Sequence, residues 1–90
     1  MHTVELMDQA IIAARKLGYD VRHEWLGGVA GGGCEVAGRK WLFVDLSLSA
    51  VEQLEQVCRV LEEDPGMGTI GVPLALQRRM HQDTGQRRAA

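Results

Sequence analysis

Ninety residues, 46% of them apolar and 24% charged, fit one small globular domain built on a single core and exclude a chain disordered throughout. No apolar run approaches the roughly 18 residues that mark a membrane helix, and the opening Met1-His2-Thr3-Val4-Glu5 runs straight into an amphipathic pattern instead of a secretory signal. The expected location is the cytoplasm, where Cys34 and Cys58 stay reduced.

The net charge of −2 is unevenly divided. Residues 1–64 carry 6 basic and 11 acidic side chains, whereas residues 65–90 carry Arg78, Arg79, Arg87 and Arg88 against Asp83 alone. An acidic body argues against nucleic-acid binding by the folded part, and a basic tail allows only weak, salt-sensitive contact with anions.

The first element is a helix over about Val4 to Leu17. Val4, Met7, Ile11 and Ala14 form one stripe with Leu6, Ala10 and Leu17 beside it, which is the helical period. Thr3 is the expected cap, Arg15 and Lys16 suit the last turn, and Gly18 is the expected stop. A strand follows over Asp20 to Leu26, with Val21, His23 and Trp25 alternating with Arg22, Glu24 and Leu26. Five glycines in the seven positions 27–33 make a loop. A second strand over Cys34 to Ala37 runs into Gly38-Arg39, read as a type II′ turn, and a third strand spans Trp41 to Leu46.

Ser49 and Glu52 form a capping box. The helix it opens reaches Glu63, with Val51, Leu54, Val57, Cys58 and Leu61 on one face, and Asp64-Pro65-Gly66 ends it. Beyond, Ile70, Val72, Leu74 and Leu76 alternate as in an edge strand, but Gly71 and Pro73 interrupt them. The favoured reading is a short helix opened by Pro73 and running to about Gln82. The tail from about Arg87 is expected to be disordered.

The expected fold is therefore α+β: helix, three-stranded antiparallel meander, helix, then a C-terminal short helix or arm. The expected division is a compact domain over residues 1–66 and an arm over 67–90. With the type II′ turn, Val36 pairs with Trp41 and Cys34 with Phe43 on one sheet face, while Leu42, Val44 and Leu46 lie on the other. Two helices cover only one face, so the arm or a second chain is expected to cover Trp41, Phe43 and Val36.

Each chemical candidate has a plainer structural reading. The loop ending in Gly31, Gly32, Gly33 and Cys34 admits a ligand close to its backbone, but it feeds a strand and carries no Lys, Ser or Thr, so a connector is the simpler reading. His2, His23, Cys34, Cys58 and His81 are possible metal ligands, yet the smallest gap, His23 to Cys34, is eleven residues, without the local pair a structural zinc site uses. Cys34 with His23 suggests a nucleophile and its base; burial of Cys34 as a small hydrophobe is the expected alternative. Asp45 interrupts an apolar strand and is expected to bond the amides of the following turn. Asp20 and Glu24 form a carboxylate pair on what is expected to be a solvated strand face.

The order of helix, meander and amphipathic helix is similar to the front half of the small HExxH metallopeptidases, whose helix after the meander carries zinc ligands. Here that helix, Val51 to Leu61, contains no histidine, so the similarity carries no site across. No cofactor is expected. The sequence reading is a non-enzymatic interaction module that self-associates as a homodimer or binds another protein. Its rival is a ligand-binding domain or enzyme built around loop 27–33 and Cys34.

Overall fold

A computed structural model describes residues 2–80. The expected disorder beyond Arg87, the end of the last helix at Gln82 and the ligand candidate His81 lie outside the described residues. Helix α1 spans Thr3–Lys16 and β1 spans Asp20–Glu24. Strands β2, Gly32–Val36, and β3, Arg39–Asp45, precede α2, Ala50–Glu63. A 3₁₀ turn at Met67–Thr69 leads to a last helix, α3, over residues 74–80. The edge-strand alternative for Ile70 to Leu76 is thus not taken.

The termini of the two long helices follow local chemistry, with one correction. His2, not Thr3, is the N-cap of α1, and it makes no side-chain capping bond. The chain leaves α1 through Gly18 at φ +95°, a left-handed stop that glycine adopts without a Cβ clash. At α2 both halves of the capping box form: Ser49 Oγ accepts from the Glu52 amide at 3.2 Å, and Glu52 Oε1 accepts from the Ser49 amide at 3.0 Å.

The sheet is not an antiparallel meander. Its order is β1-β3-β2, with β1 parallel to β3 and β2 antiparallel to β3. The strand expected in the middle, β2, lies at an edge. The physical reason is composition: Trp41-Leu42-Phe43-Val44 is the most apolar segment, and a central strand has both backbone edges paired. The charged run Asp20-Val21-Arg22-His23-Glu24 tolerates an edge. The strand pattern itself is also shorter than expected, since β1 stops at Glu24 and Trp25 is 75% exposed.

The β2–β3 hairpin turns at Ala37-Gly38, with φ 52° and 78°, the two left-handed positions of a type I′ turn, instead of at Gly38-Arg39. This turn matches the twist of the flanking strands, which offsets the roughly 1–2 kcal/mol that a left-handed alanine costs. The register moves with it: Cys34 pairs with Trp41, Gly32 with Phe43 and Val36 with Arg39. Moving the pairing by two places preserves facing, so Cys34, Val36, Trp41 and Phe43 still share one side.

The other side carries the core. Leu42 and Val44 are fully buried with Ala10, Ala14, Leu54, Val57, Cys58 and Leu61. Small residues on α1, Ala10, Ala13 and Ala14, let it lie close to α2. Leu46, expected beside Leu42 and Val44, lies past the strand and is 44% exposed. Leu76 and Met80 of α3 join the same core, and Arg79 meets Glu55 of α2 at 3.6 Å. The described part of the arm therefore packs on the helical side. Each fully buried leucine contributes about 1.5–3 kcal/mol relative to exposure.

Candidate functional site

Three places hold the residues singled out above: the sheet face opposite the helices, the loop over its end, and a cleft along β2. On the face that no described helix covers, the rings of Trp41 and Phe43, two residues apart on the central strand, stack with centroids 6.0 Å apart and planes 15° from parallel. Both are half-buried. The guanidinium carbons of Arg22 and Arg39 stand 5.4 and 5.3 Å from the Trp41 ring centroid, a cation–π arrangement that also lays their stems along the ring. Asp20 holds Arg39 at 3.7 Å. The carboxylate pair Asp20 and Glu24 shares this face, with Arg22 between them in sequence. Val36 is 60% exposed at the rim.

The glycine loop is held by Asp45, which is fully buried. Its Oδ1 accepts from the Leu26 amide at 3.0 Å, the Ser47 amide at 2.9 Å and the Ser47 hydroxyl at 2.6 Å. Its Oδ2 accepts from the Gly28 amide at 2.7 Å. Burial alone would push this carboxyl up, but the Ser47 hydroxyl, the Ser47 amide and the Leu26 and Gly28 amides outweigh it and hold the pKa at about 2. The expected turn contact to Ser47 is present, and the two bonds to the loop are added by the crossover of the chain from β1 to β2. The carboxylate is thereby fully engaged as an acceptor.

The last glycines have a packing role. A Cβ on Gly31, at φ +137°, would lie 2.5 Å from Gln56 Nε2, and one on Gly33 would lie 3.0 Å from Val60 Cγ1. Absence of side chains lets β2 approach α2 closely. Gln56 in turn accepts from the Asp45 amide through Oε1 at 3.2 Å, so helix, strand end and loop are tied at one point.

Along β2 runs an open cleft of about 440 Å³ bordered by Tyr19, Gly33, Cys34, Lys40 and Asp64, with Glu35 and Glu63 beside them. Lys40 Nζ donates to Asp64 Oδ2 at 2.7 Å and to the Leu17 carbonyl at 2.7 Å, and it stands 4.3 Å from the Tyr19 ring centroid. Tyr19 donates its hydroxyl to Asp64 Oδ2 at 2.8 Å, and Asp64 Oδ1 accepts the Gly66 amide at 2.7 Å. Burial and the neighbouring Asp64 push the Tyr19 phenol up to about 12. The Lys40 ammonium, opposed by burial and assisted by the Tyr19 hydroxyl and the Gly66 amide, holds Asp64 below the ordinary carboxylate range. These three side chains satisfy one another and bracket the end of α1, β3 and the end of α2 together. Sequence reading missed them; a single lysine heading an apolar strand and the only tyrosine were the available signals.

Cys58 is buried as expected, but Cys34 is exposed, because β2 is an edge strand and its open-face neighbours leave the thiol uncovered. Cys34 and His23 lie on strands separated by β3 and on opposite faces. Among the described residues no group of three His, Cys, Asp or Glu side chains is arranged to hold a metal ion, and no helix is long and apolar enough to cross a membrane. No family model, curated protein or solved structure matches this chain.

Proposed function

We propose that this chain is a small non-enzymatic protein-interaction module whose first partner is a second copy of itself and whose interaction surface is the side of the sheet that carries Trp41, Phe43 and Val36. One observation carries the reading: α1, α2 and the described arm all pack against the same face, leaving Trp41, Phe43 and Val36 on the other. Aromatic rings bring large contact area, about 150–250 Å² each when fully buried. At roughly 25 cal/mol per Å² such a pair is a strong incentive to association. A two-fold dimer is the simplest closed way for one chain to use such a patch.

The rival reading, a ligand site or enzyme around loop 27–33 and Cys34, has the cleft beside Gly33 and Cys34 in its favour. Against it, Asp45 is committed to the loop amides, and Tyr19, Lys40 and Asp64 are committed to one another. Sedimentation equilibrium at micromolar concentration tests the proposal. The wild type is expected to be a dimer and Val36→Glu a monomer with unchanged circular dichroism, because a rim position 60% exposed accepts a carboxylate in the single chain. A wild type that stays monomeric overturns it.

A further inference from the structure

We infer that two copies of this chain join edge to edge along β2, antiparallel, about a two-fold axis at Cys34, giving one continuous six-stranded sheet. The inference rests on the self-association proposed above and sets the contact between the copies at the β2 edge, where Val36 of one copy adjoins Phe43 of the other and the aromatic pairs of both lie side by side.

The two edges of the sheet differ in a telling way. Edge strands are normally guarded by lysine, proline, bulges or charge. The β1 edge, Asp20-Val21-Arg22-His23-Glu24, carries three charged side chains. The β2 edge, Gly32-Gly33-Cys34-Glu35-Val36, carries one and has neither proline nor lysine. Residues 33–36 are all exposed, so nothing described covers this edge.

The hairpin sets which backbone groups are free. A two-residue turn is flanked by a hydrogen-bonded pair, here Val36 and Arg39. Hydrogen-bonded and non-hydrogen-bonded pairs then alternate, so Val36, Cys34 and Gly32 point their amides and carbonyls at β3. Gly33 and Glu35 point theirs outward. A second β2 running antiparallel satisfies these groups when Gly33 of each copy faces Glu35 of the other. The axis then passes through Cys34, and all five strand residues are paired. Centring instead on Glu35 would set two carboxylates directly opposite, a destabilising arrangement. Centring on Gly33 would leave Val36 beyond the partner strand.

Side chains fit the Cys34-centred register on both faces. Val36 of one copy lies opposite Gly32 of the other, and the cross-strand neighbour of that glycine is Phe43. At φ +95° the Cβ direction of Gly32 points to Val60 of α2, 3.9 Å away, so no side chain at this position stands between Val36 and the ring. Glu35 lies opposite Gly33, so no like charges oppose each other. Trp41 and Cys34, paired within each copy, form a continuous row across the axis. The aromatic pairs of both copies thus share one broad face.

In this register the two Cys34 residues form a non-hydrogen-bonded pair, with Cα atoms about 4.5 Å apart, inside the roughly 4.4–6.8 Å window for a disulfide. Diamide treatment of the dimer is the test; the oxidant takes two electrons and two protons from the two thiols and is itself reduced to the hydrazine. A Cys34-linked dimer should form rapidly. In a Cys34→Ala background, Glu35→Cys and Val36→Cys should link at least about tenfold more slowly, since their positions are offset across the axis. Glu35→Pro removes only an outward amide, which an edge strand tolerates, and should be monomeric with unchanged circular dichroism. A wild-type dimer whose Cys34 does not link, or a dimeric Glu35→Pro, overturns edge pairing while self-association stands. A wild type that is monomeric by sedimentation overturns both.

Discussion

The Asp45 carboxylate accepts the Gly28 amide at 2.7 Å, joining the end of the central strand to the loop that passes over it. This contact lets β2 follow β1 in sequence yet pair with β3 from the far side. The loop's polar backbone is satisfied by one buried anion where the crossover leaves it without a strand partner.

Asp45→Asn keeps the shape but replaces an acceptor oxygen with an amide nitrogen, which cannot take both the Gly28 bond and those at Oδ1. Hydrogen exchange at the Leu26 and Gly28 amides should accelerate while that of α2 core amides changes little. The acid response should change too. Asp45 in the fold binds its proton less tightly than at its ordinary value of 3.8, at about 2, so its stabilising contribution is present above about pH 4 and lost as pH falls toward 2. Asp64, also lowered, has the same sign. Wild-type stability should therefore be flat on mild acidification and fall below about pH 4, and Asp45→Asn should fall less steeply. An identical acid limb in the two proteins would refute the assignment.

Gly31→Ala should be destabilising by more than about 1 kcal/mol, read as a shift of the urea midpoint. Its φ of +137° strains any side chain, and the new Cβ meets Gln56 Nε2 at 2.5 Å, displacing the amide that holds the Asp45 backbone. Gly68→Ala, where nothing lies within 4 Å, is the control and should be nearly neutral.

Tyr19 is the only tyrosine, so its ionisation can be followed directly by absorbance near 295 nm. The folded protein should titrate at about 12, and Asp64→Asn should bring the midpoint down toward 10 by removing the carboxylate charge. Since the folded pKa is the raised one, the phenol's contribution to stability is intact below pH 10 and lost as pH rises toward 12. A midpoint unchanged by Asp64→Asn would show that the bracket is not formed.

Iodoacetamide at neutral pH should alkylate Cys34 and leave Cys58 unmodified until the protein unfolds, because the first is exposed and the second buried. Peptide mass mapping after short exposure separates the two sites. Equal labelling would contradict the burial of α2 against the sheet.

Helices α1 and α2, the paired faces of the hairpin and the role of Asp45 toward Ser47 were all legible in the residues. Each depends on neighbours within a few positions: the 3.6-residue stripe from Met7 to Ala14, the Ser49–Glu52 box, the two-residue alternation in Trp41 to Val44. The arm's short helix was legible for the same reason, through Pro73. What could not be read locally was which strand takes the centre, and the turn's one-residue displacement, which altered every cross-strand pair.

Those features are decided by competition among whole elements. Placing β3 centrally pairs both edges of the most apolar strand, and it requires a loop that a buried Asp45 can hold and glycines that α2 can approach. The same choice exposes Cys34, which its local sequence marked for burial. The Tyr19–Asp64–Lys40 bracket likewise joins residues 24 and 45 positions apart, a spacing on which no local rule acts. Residue types and periods alone determined two helices and a two-sided hairpin; only long-range packing decided the strand order, the edge position of β2 and the side of the sheet on which Trp41 and Phe43 lie.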